Sequence, residues 1–419
     1  MVAGFLILLA CLALGMPIYV ALLWSSLYLL VVELRVEPAM IASGLFESIN
    51  SFTLSAVPFF LLAGALADRT TMSERLVGSV RALVGHLRGG LALTGVVANE
   101  VFGAISGASA AAVGTIGRIM LPTVAAVHGE PFALGLLTSA GALAVVMPPS
   151  IPMILYAASA NVSTGQLFVA GIIPALIIGL FLWACILWNS RGLPWRRTPL
   201  AWGQVRLQLR RAGLVLLMPV VVLGGIYGGF FTPTEAAAVA VAYTLALGAG
   251  VYRDLGWRGF WSAVMEAVRL TSQIFVVIAA SVVFSQALAL AQVPMRLAEL
   301  TSGLPAPVFL LVVNLVLLLV GMFFDPTSAV LVLTPLLTPA AQRLGIHPLH
   351  LGVVMTVNLA IGMFTPPFGL NLFVSQSIFR KSMAEIVRGL TPFWVWYLAA
   401  LAVITYLPGL YMWLPGWVR

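Results

Sequence analysis

"SGASAAAVGTIGR" occupies Ser106 to Arg118, and apolar sequence lies on both sides of it. The stretch holds no bulky side chain before Val113. Two physical readings compete. Small residues let two helices in lipid approach closely. The same composition, with hydroxyls at Ser106 and Ser109, also builds the narrow tip of a segment that enters a membrane and turns back.

The surrounding chain has 419 residues, 61% hydrophobic and 8% charged. A soluble domain carries roughly 25% charged residues. Apolar runs of about 20 residues, long enough for a bilayer core of about 30 Å, recur from end to end. They are continuous rather than alternating, which excludes a β-barrel. The fold class is therefore an all-α polytopic membrane protein, embedded in a lipid bilayer. The run from Val2 to Val32 lacks a basic start and is too long for a signal peptide, so a retained first membrane helix is expected there.

The net charge of +8 does not point to nucleic acid, because the basic residues sit in short loops between apolar runs. The clearest case is Arg191 to Arg211, with six Arg and no acid. Positive charge of this kind marks a cytoplasmic connection. Cys11 and Cys185 both fall within apolar runs, so neither a disulfide framework nor a metal site is indicated.

This basic linker separates two hydrophobic halves with matching punctuation. Ser109 precedes Pro148-Pro149 by 39 residues, and Thr327 precedes Pro366-Pro367 by 39 residues. One offset of 218 aligns both landmarks, together with Gly103 and Gly321, Thr138 and Thr356, and Ser159 and Ser377. Paired interruptions in corresponding halves point to the binding site of a secondary transporter. With an odd number of crossings per half, the halves are inverted, both termini lie outside, and "FRKS" (Phe379–Ser382) lies inside.

Four interruptions carry the chemistry: "FGAISGASAAA" (Phe102–Ala112), "MPPSIP" (Met147–Pro152), "FFDPTSA" (Phe323–Ala329) and "FTPPFGLN" (Phe364–Asn371). Backbone groups freed at membrane depth must be paired or line a wet cavity. Free carbonyls and hydroxyls can bind a hard cation such as Na⁺, and half-helix N-termini can face an anion. Asp325 follows the apolar run Val308 to Phe324. It is a functional candidate by depth and a helix cap by its place before Pro326. Glu100 is a second intramembrane acid, with no partner evident. Thr232, Pro233 and Glu235 predict a capping box that starts a helix. Asp68–Gly90 and Tyr252–Leu270 mix apolar residues with Arg at helical spacing, and surface-lying amphipathic helices are expected for both.

Four stretches resemble one family: Phe102–Gly117, Val146–Ala157, Pro219–Tyr243 and Thr365–Val374. The family is the large membrane subunit of tripartite ATP-independent periplasmic (TRAP) transporters, and the resemblance runs in order along the chain. It implies about eleven transmembrane helices and two re-entrant hairpins in an inverted repeat, with elevator-type scaffold and transport domains. It implies a sodium gradient as the driving force, with Na⁺ the coupling ion and no organic cofactor or transition metal. A small four-helix membrane subunit and an extracytoplasmic substrate-binding protein are the implied partners. The substrate is an organic acid such as sialic acid or a dicarboxylate, and the location is the bacterial inner membrane. The small subunit is not expected to be fused to this chain.

By position, the resemblance puts one tip at Ser106, Gly107 and Ser109, facing Met147, Pro148 and Ser150. It puts the other at Asp325, Thr327 and Ser328, facing Thr365 and Pro366. These residues would hold sodium. Carboxylate substrate would lie between them, against Ser106, Pro149, Thr327, Pro367 and Asn371. Asn371 could equally satisfy backbone groups freed by the second break. Ala108 departs from the family, where a second small hydroxyl residue is common; Ser106, Ser109 or a carbonyl would take over that role. The implied divisions are scaffold 1–95, transport 96–190, linker 191–212, scaffold 213–313 and transport 314–419.

Other functions are weaker fits. A stand-alone ion-coupled anion carrier would need no partner. His86, His128, His347 and His350 lie in or near expected loops and form no triad or zinc spacing, which argues against an enzyme. Lys381 is the only lysine and follows no glycine-rich phosphate loop, so ATP is not the direct energy source.

Overall fold

Proline and glycine punctuate the chain into twenty α-helices in the computed structural model, which describes residues 2–193 and 200–417 and has no strand among them. Seven of the helical segments are long and apolar enough to cross a membrane, and shorter apolar helices accompany them. The protein is a multi-pass membrane protein. Part of the basic linker, residues 194–199, lies outside the described residues.

The first apolar run is two helices rather than one. α1 (Val2–Ala13) and α2 (Ile18–Leu27) are separated by Gly15, at φ +73°, and Pro17. Pro17 has no N–H to continue a helix, and the left-handed φ at Gly15 turns the chain back. The Ser25 hydroxyl donates to the Gly4 carbonyl at 2.8 Å and locks the pair as a hairpin. α3 (Pro38–Ile49), α4 (Ala56–Asp68) and the amphipathic α5 (Met72–Val84) follow.

The first hairpin is α6 (Gly90–Ser106) and α7 (Ser109–His128). A broken helix comes next, made of α8 (Glu130–Ala140), the single turn α9 (Leu143–Val146) and α10 (Ile151–Ala160). α11 (Thr164–Asn189) closes this half. Beyond the linker come α12 (Trp202–Tyr227), α13 (Pro233–Leu245), α14 (Trp257–Leu290) and α15 (Val293–Thr301). The second hairpin is α16 (Ala306–Gly321) and α17 (Pro326–Arg343). The second broken helix is α18 (Pro348–Gly362) and α19 (Leu370–Phe379), followed by α20 (Met383–Tyr406).

The 218-residue offset found in the sequence holds for these elements. Shifted by 218, the start of α8 falls on Pro348, the first residue of α18, and α11 falls on 382–407, within a residue of α20 at each end. α5 shifted in the same way overlaps α15, so the amphipathic partner of Asp68–Gly90 is Val293–Thr301. Tyr252–Leu270 is not a separate surface helix: α14 runs unbroken from Trp257 to Leu290, because no Pro or Gly interrupts it after Gly259. The predicted capping box at Thr232 and Glu235 is formed, with the Glu235 carboxylate accepting from the Thr232 N–H at 2.8 Å.

The two broken helices occupy the centre. In Glu130–Ala160, 83% of the most apolar window is buried, against 39% for Ser109–His128. Every residue from Leu349 to Gly362 in α18 is buried. Continuous apolar sequence suits these helices, since they meet protein on all sides.

Candidate functional site

The first tip is the turn between α6 and α7. Gly107 adopts φ +61°, the left-handed conformation that lets α6 end, and Ala108 is extended before α7 starts at Ser109. A side chain at Gly107 would place its Cβ 2.8 Å from the Pro149 carbonyl oxygen. Only glycine permits that approach, and it seats the tip on the first break. Ser106 is buried, with Gly64 of α4 packed on it: a Cβ on Gly64 would lie 2.9 Å from Ser106 Cβ. The break runs from Met147 to Ser150 with a cis Pro148-Pro149 bond. Ser150 caps α10 by accepting from the Met153 N–H at 3.5 Å.

The second tip uses different chemistry for the same turn. Asp325 is the N-cap of α17, accepting from the Ser328 N–H at 3.1 Å and from the Ser328 hydroxyl, with Pro326 next in the helix. Asp325 thus has the capping role its sequence position suggested. Thr327 is half-buried beside it. At the second break the Thr365 hydroxyl donates to the Ile361 carbonyl at 2.7 Å and closes the last turn of α18. Pro366-Pro367 is cis, Pro367 is exposed, and the Asn371 N–H donates across the break to the Met363 carbonyl at 2.8 Å.

Each tip meets the break of its own half through one repeated pair. A Cβ on Gly103 would lie 2.5 Å from Ala144 Cα, and one on Gly362 would lie 2.4 Å from the carbonyl carbon of Gly321. Gly103 with Ala144 and Gly321 with Gly362 are equivalent under the 218-residue offset. The halves differ in what covers the junction. Ile105 and Ser150 are buried, whereas their equivalents Phe323 and Phe368 are 53% and 56% exposed and pack with ring centroids 5.6 Å apart and planes tilted by 46°.

Contacts also run between the halves. The Ser109 hydroxyl donates to Asn371 Oδ1 at 2.9 Å, and Asn371 Nδ2 donates to the Thr138 carbonyl at 3.2 Å. The hydroxyls of Thr138 and Ser375 lie 2.7 Å apart. Asn371 has no exposed surface, so it satisfies backbone in α8 in this arrangement, and direct substrate contact would require these bonds to open. In sequence, Thr138 is marked only by its alignment with Thr356, and nothing marks Ser375. A contact spanning 237 residues leaves no periodic trace.

The four interrupted segments contain no Lys, Arg or His. Cation binding would draw on carbonyls, hydroxyls and Asp325; anion binding would draw on helix N-termini and backbone N–H groups. Among the described residues no cluster of His, Cys, Asp or Glu has metal-ligating geometry. A cavity of about 380 Å³, also unforeseen, lies between α10, α14 and α17, with Ser159, Ser281, Ser285 and Gln286 on its wall. Glu100 is buried against α11, where a Cβ on Gly179 would fall on its carboxylate, and Oε1 has no hydrogen-bond partner among the described residues. His350 is not in a solvated loop: it is buried in α18, with Nδ1 2.6 Å from the Tyr411 hydroxyl.

Residues 5–410 match the family described as the tripartite ATP-independent periplasmic transporter, DctM component. The C4-dicarboxylate TRAP transporter large permease protein of Pseudomonas aeruginosa is 40% identical over 386 residues, covering 90% of each chain. The corresponding protein of Vibrio cholerae is 36% identical over 438 residues, covering 98% of this chain and 96% of that one. Among solved structures, the YdaH transporter of Alcanivorax borkumensis, whose topology is described as unusual, aligns at a TM-score of 0.58 and 15% identity. That alignment covers 90% of this chain and 88% of the other, and it shows similarity of fold alone.

Proposed function

Because this chain belongs to the DctM component family of TRAP transporters, we propose that it couples uptake of an organic acid to a sodium gradient by an elevator mechanism. Its coarser role, a large permease subunit for C4-dicarboxylates or related organic acids, is given by the family. The names of the relatives favour a C4-dicarboxylate as the substrate.

The observation that carries the finer reading is the repeated seating of tip on break. Gly103 packs on Ala144 and Gly321 packs on Gly362, and in the first half Gly107 also rests on the Pro149 carbonyl. Each junction gathers carbonyls and hydroxyls from a turn and a broken helix, a donor set suited to a hard, singly charged cation. In this reading one sodium ion is held among Ser106, Gly107, Ser109, Met147, Pro148 and Ser150. A second is held among Asp325, Thr327, Ser328, Thr365 and Pro366. Substrate binds between the junctions, near Ser106, Pro149, Thr327, Pro367 and Asn371. In this reading the second junction, where Phe323 and Phe368 are exposed, is the one through which substrate enters.

The partners implied by the family are a small membrane subunit and an extracytoplasmic binding protein, in the bacterial inner membrane. The test is uptake of labelled C4-dicarboxylates into proteoliposomes containing this chain and its small subunit, with the binding protein outside. Uptake that requires all three proteins and an inward sodium gradient supports the proposal. Uptake by the large chain alone would replace it with a stand-alone carrier, and uptake indifferent to sodium would remove the coupling assignment.

A further inference from the structure

A second cavity, of about 670 Å³, lies away from the tips, at the end of the molecule that carries the basic linker. It is bounded by the end of α5, the start of α6, the end of α7, the turn after α11 and the start of α12. We propose that this cavity binds a phosphate group, carried by an anionic lipid headgroup or by a free phosphate anion.

Its wall presents Arg81, His86, Arg88 and His128, and no Asp or Glu lines it among the described residues. The Arg88 guanidinium donates to the carbonyls of Ser190 and Arg191, both at 3.0 Å, which fixes its position at the end of α11. Arg88 Nε, His86 Nδ1 and both ring nitrogens of His128 are buried with no hydrogen-bond partner among the described residues. Arg88 Nε is a donor, as is one nitrogen of each neutral imidazole; buried donors are normally paired, and the acceptor oxygens of an anion would pair them.

Two helix N-termini open into the same space. α6 begins after Gly89 and α12 after Ala201, and neither has a side-chain cap. Uncapped N–H groups carry partial positive charge and favour anions. Arginine and helix N-termini together make a chemistry selective for phosphate oxygens over neutral polar ligands.

The repeat supplies an internal comparison. A cavity of about 700 Å³ sits at the equivalent place in the other half. Under the 218-residue offset, Arg88 corresponds to Ala306 and His128 to Ile346. That second cavity has no Arg or Lys on its wall, and its two histidines are engaged: His347 Nδ1 accepts from the Leu349 N–H at 3.2 Å and His350 Nδ1 lies 2.6 Å from the Tyr411 hydroxyl. The architecture therefore produces a cavity in both halves, and arginine lines only one of them. Basic pockets between membrane helices on the cytoplasmic side commonly hold anionic headgroups, and the linker's charge assigns this end to that side.

The experiment uses the full chain in detergent. Native mass spectrometry is run with cardiolipin, phosphatidylglycerol and phosphatidylcholine, and calorimetric titration with inorganic phosphate. Wild-type protein is expected to retain the anionic lipids over phosphatidylcholine, or to bind phosphate. Arg81→Gln combined with His86→Gln should weaken this by about tenfold or more. Arg81→Lys, which keeps the charge, should retain most of it, and unchanged elution on gel filtration checks the fold. If the double variant fails to fold, Arg81→Gln alone serves, since that side chain is exposed. Lipid retention without phosphate binding identifies a headgroup site, and phosphate binding that displaces lipid identifies a free-anion site. Equal binding of anionic and neutral lipid with no phosphate binding overturns the proposal, as does equal binding by wild type and variant.

Discussion

Ser109 donates its hydroxyl hydrogen to the amide oxygen of Asn371, 2.9 Å away, and so ties the first hairpin tip to the helix that follows the second Pro-Pro break. The two residues come from opposite halves of the repeat. Any movement of one hairpin against the other half's broken helix has to break or carry this bond.

Ser109→Ala removes the donor and leaves the buried Asn371 oxygen unsatisfied, a cost of about 1–3 kcal/mol. The expected result is a lower melting temperature together with weaker apparent sodium affinity in uptake assays. Thr327→Ala, at the equivalent but half-buried position, is expected to weaken sodium dependence with little change in melting temperature. Unaltered sodium dependence in both variants would remove these hydroxyls from the ion site.

Glycine at the tip–break contacts is a steric requirement. A Cβ at Gly103 or Gly362 would lie 2.5 or 2.4 Å from backbone atoms, closer than any real contact. Gly103→Ala and Gly362→Ala are therefore each expected to cost about 1–3 kcal/mol or more and to abolish uptake. Gly303→Ala, with nothing within 4 Å, is the neutral control. Thermal unfolding of the three variants side by side is the check.

Asp325 separates capping from coupling. Asn caps as well as Asp does, while Ala loses about 0.5–2 kcal/mol. Asp325→Asn is expected to keep the wild-type melting temperature and to lose sodium-driven uptake. Full uptake by Asp325→Asn would leave Asp325 as a cap alone.

Lys381 pairs with Glu130 at 2.7 Å and links the start of α8 to the turn before α20. The hydrogen bond to Glu130 is the main cause that raises the Lys381 pKa above its ordinary value. A raised folded pKa means the contribution is complete below the free-lysine value of about 10.4 and is lost as pH rises through the folded one. Lys381→Gln is therefore expected to shift stability by the same small amount at pH 6 and pH 9, and less at high salt. A shift that changes within that range would point to a different partner.

Much of the local structure was legible because it follows from short-range chemistry. Pro-Pro cannot continue a helix, so both breaks fell where the sequence placed them. The capping box at Thr232 and Glu235 is equally readable, and a second one, Ser382 with Glu385, carries the same signal. Hydropathy alone makes the first apolar run one helix, whereas the backbone follows Gly15 and Pro17 and splits it in two.

Residue order alone establishes an all-helical membrane protein, two halves related by 218 residues, and four interruptions at matching places. Those features depend on hydropathy and on backbone rules that act over a few residues. Helix packing, by contrast, decided that Gly107 rests on Pro149 and that Asn371 joins Ser109 to Thr138. It also decided that one of two equivalent cavities is lined by arginine. Each of these depends on which helices lie side by side, and packing brings together residues that hydrophobic periodicity along the chain cannot pair.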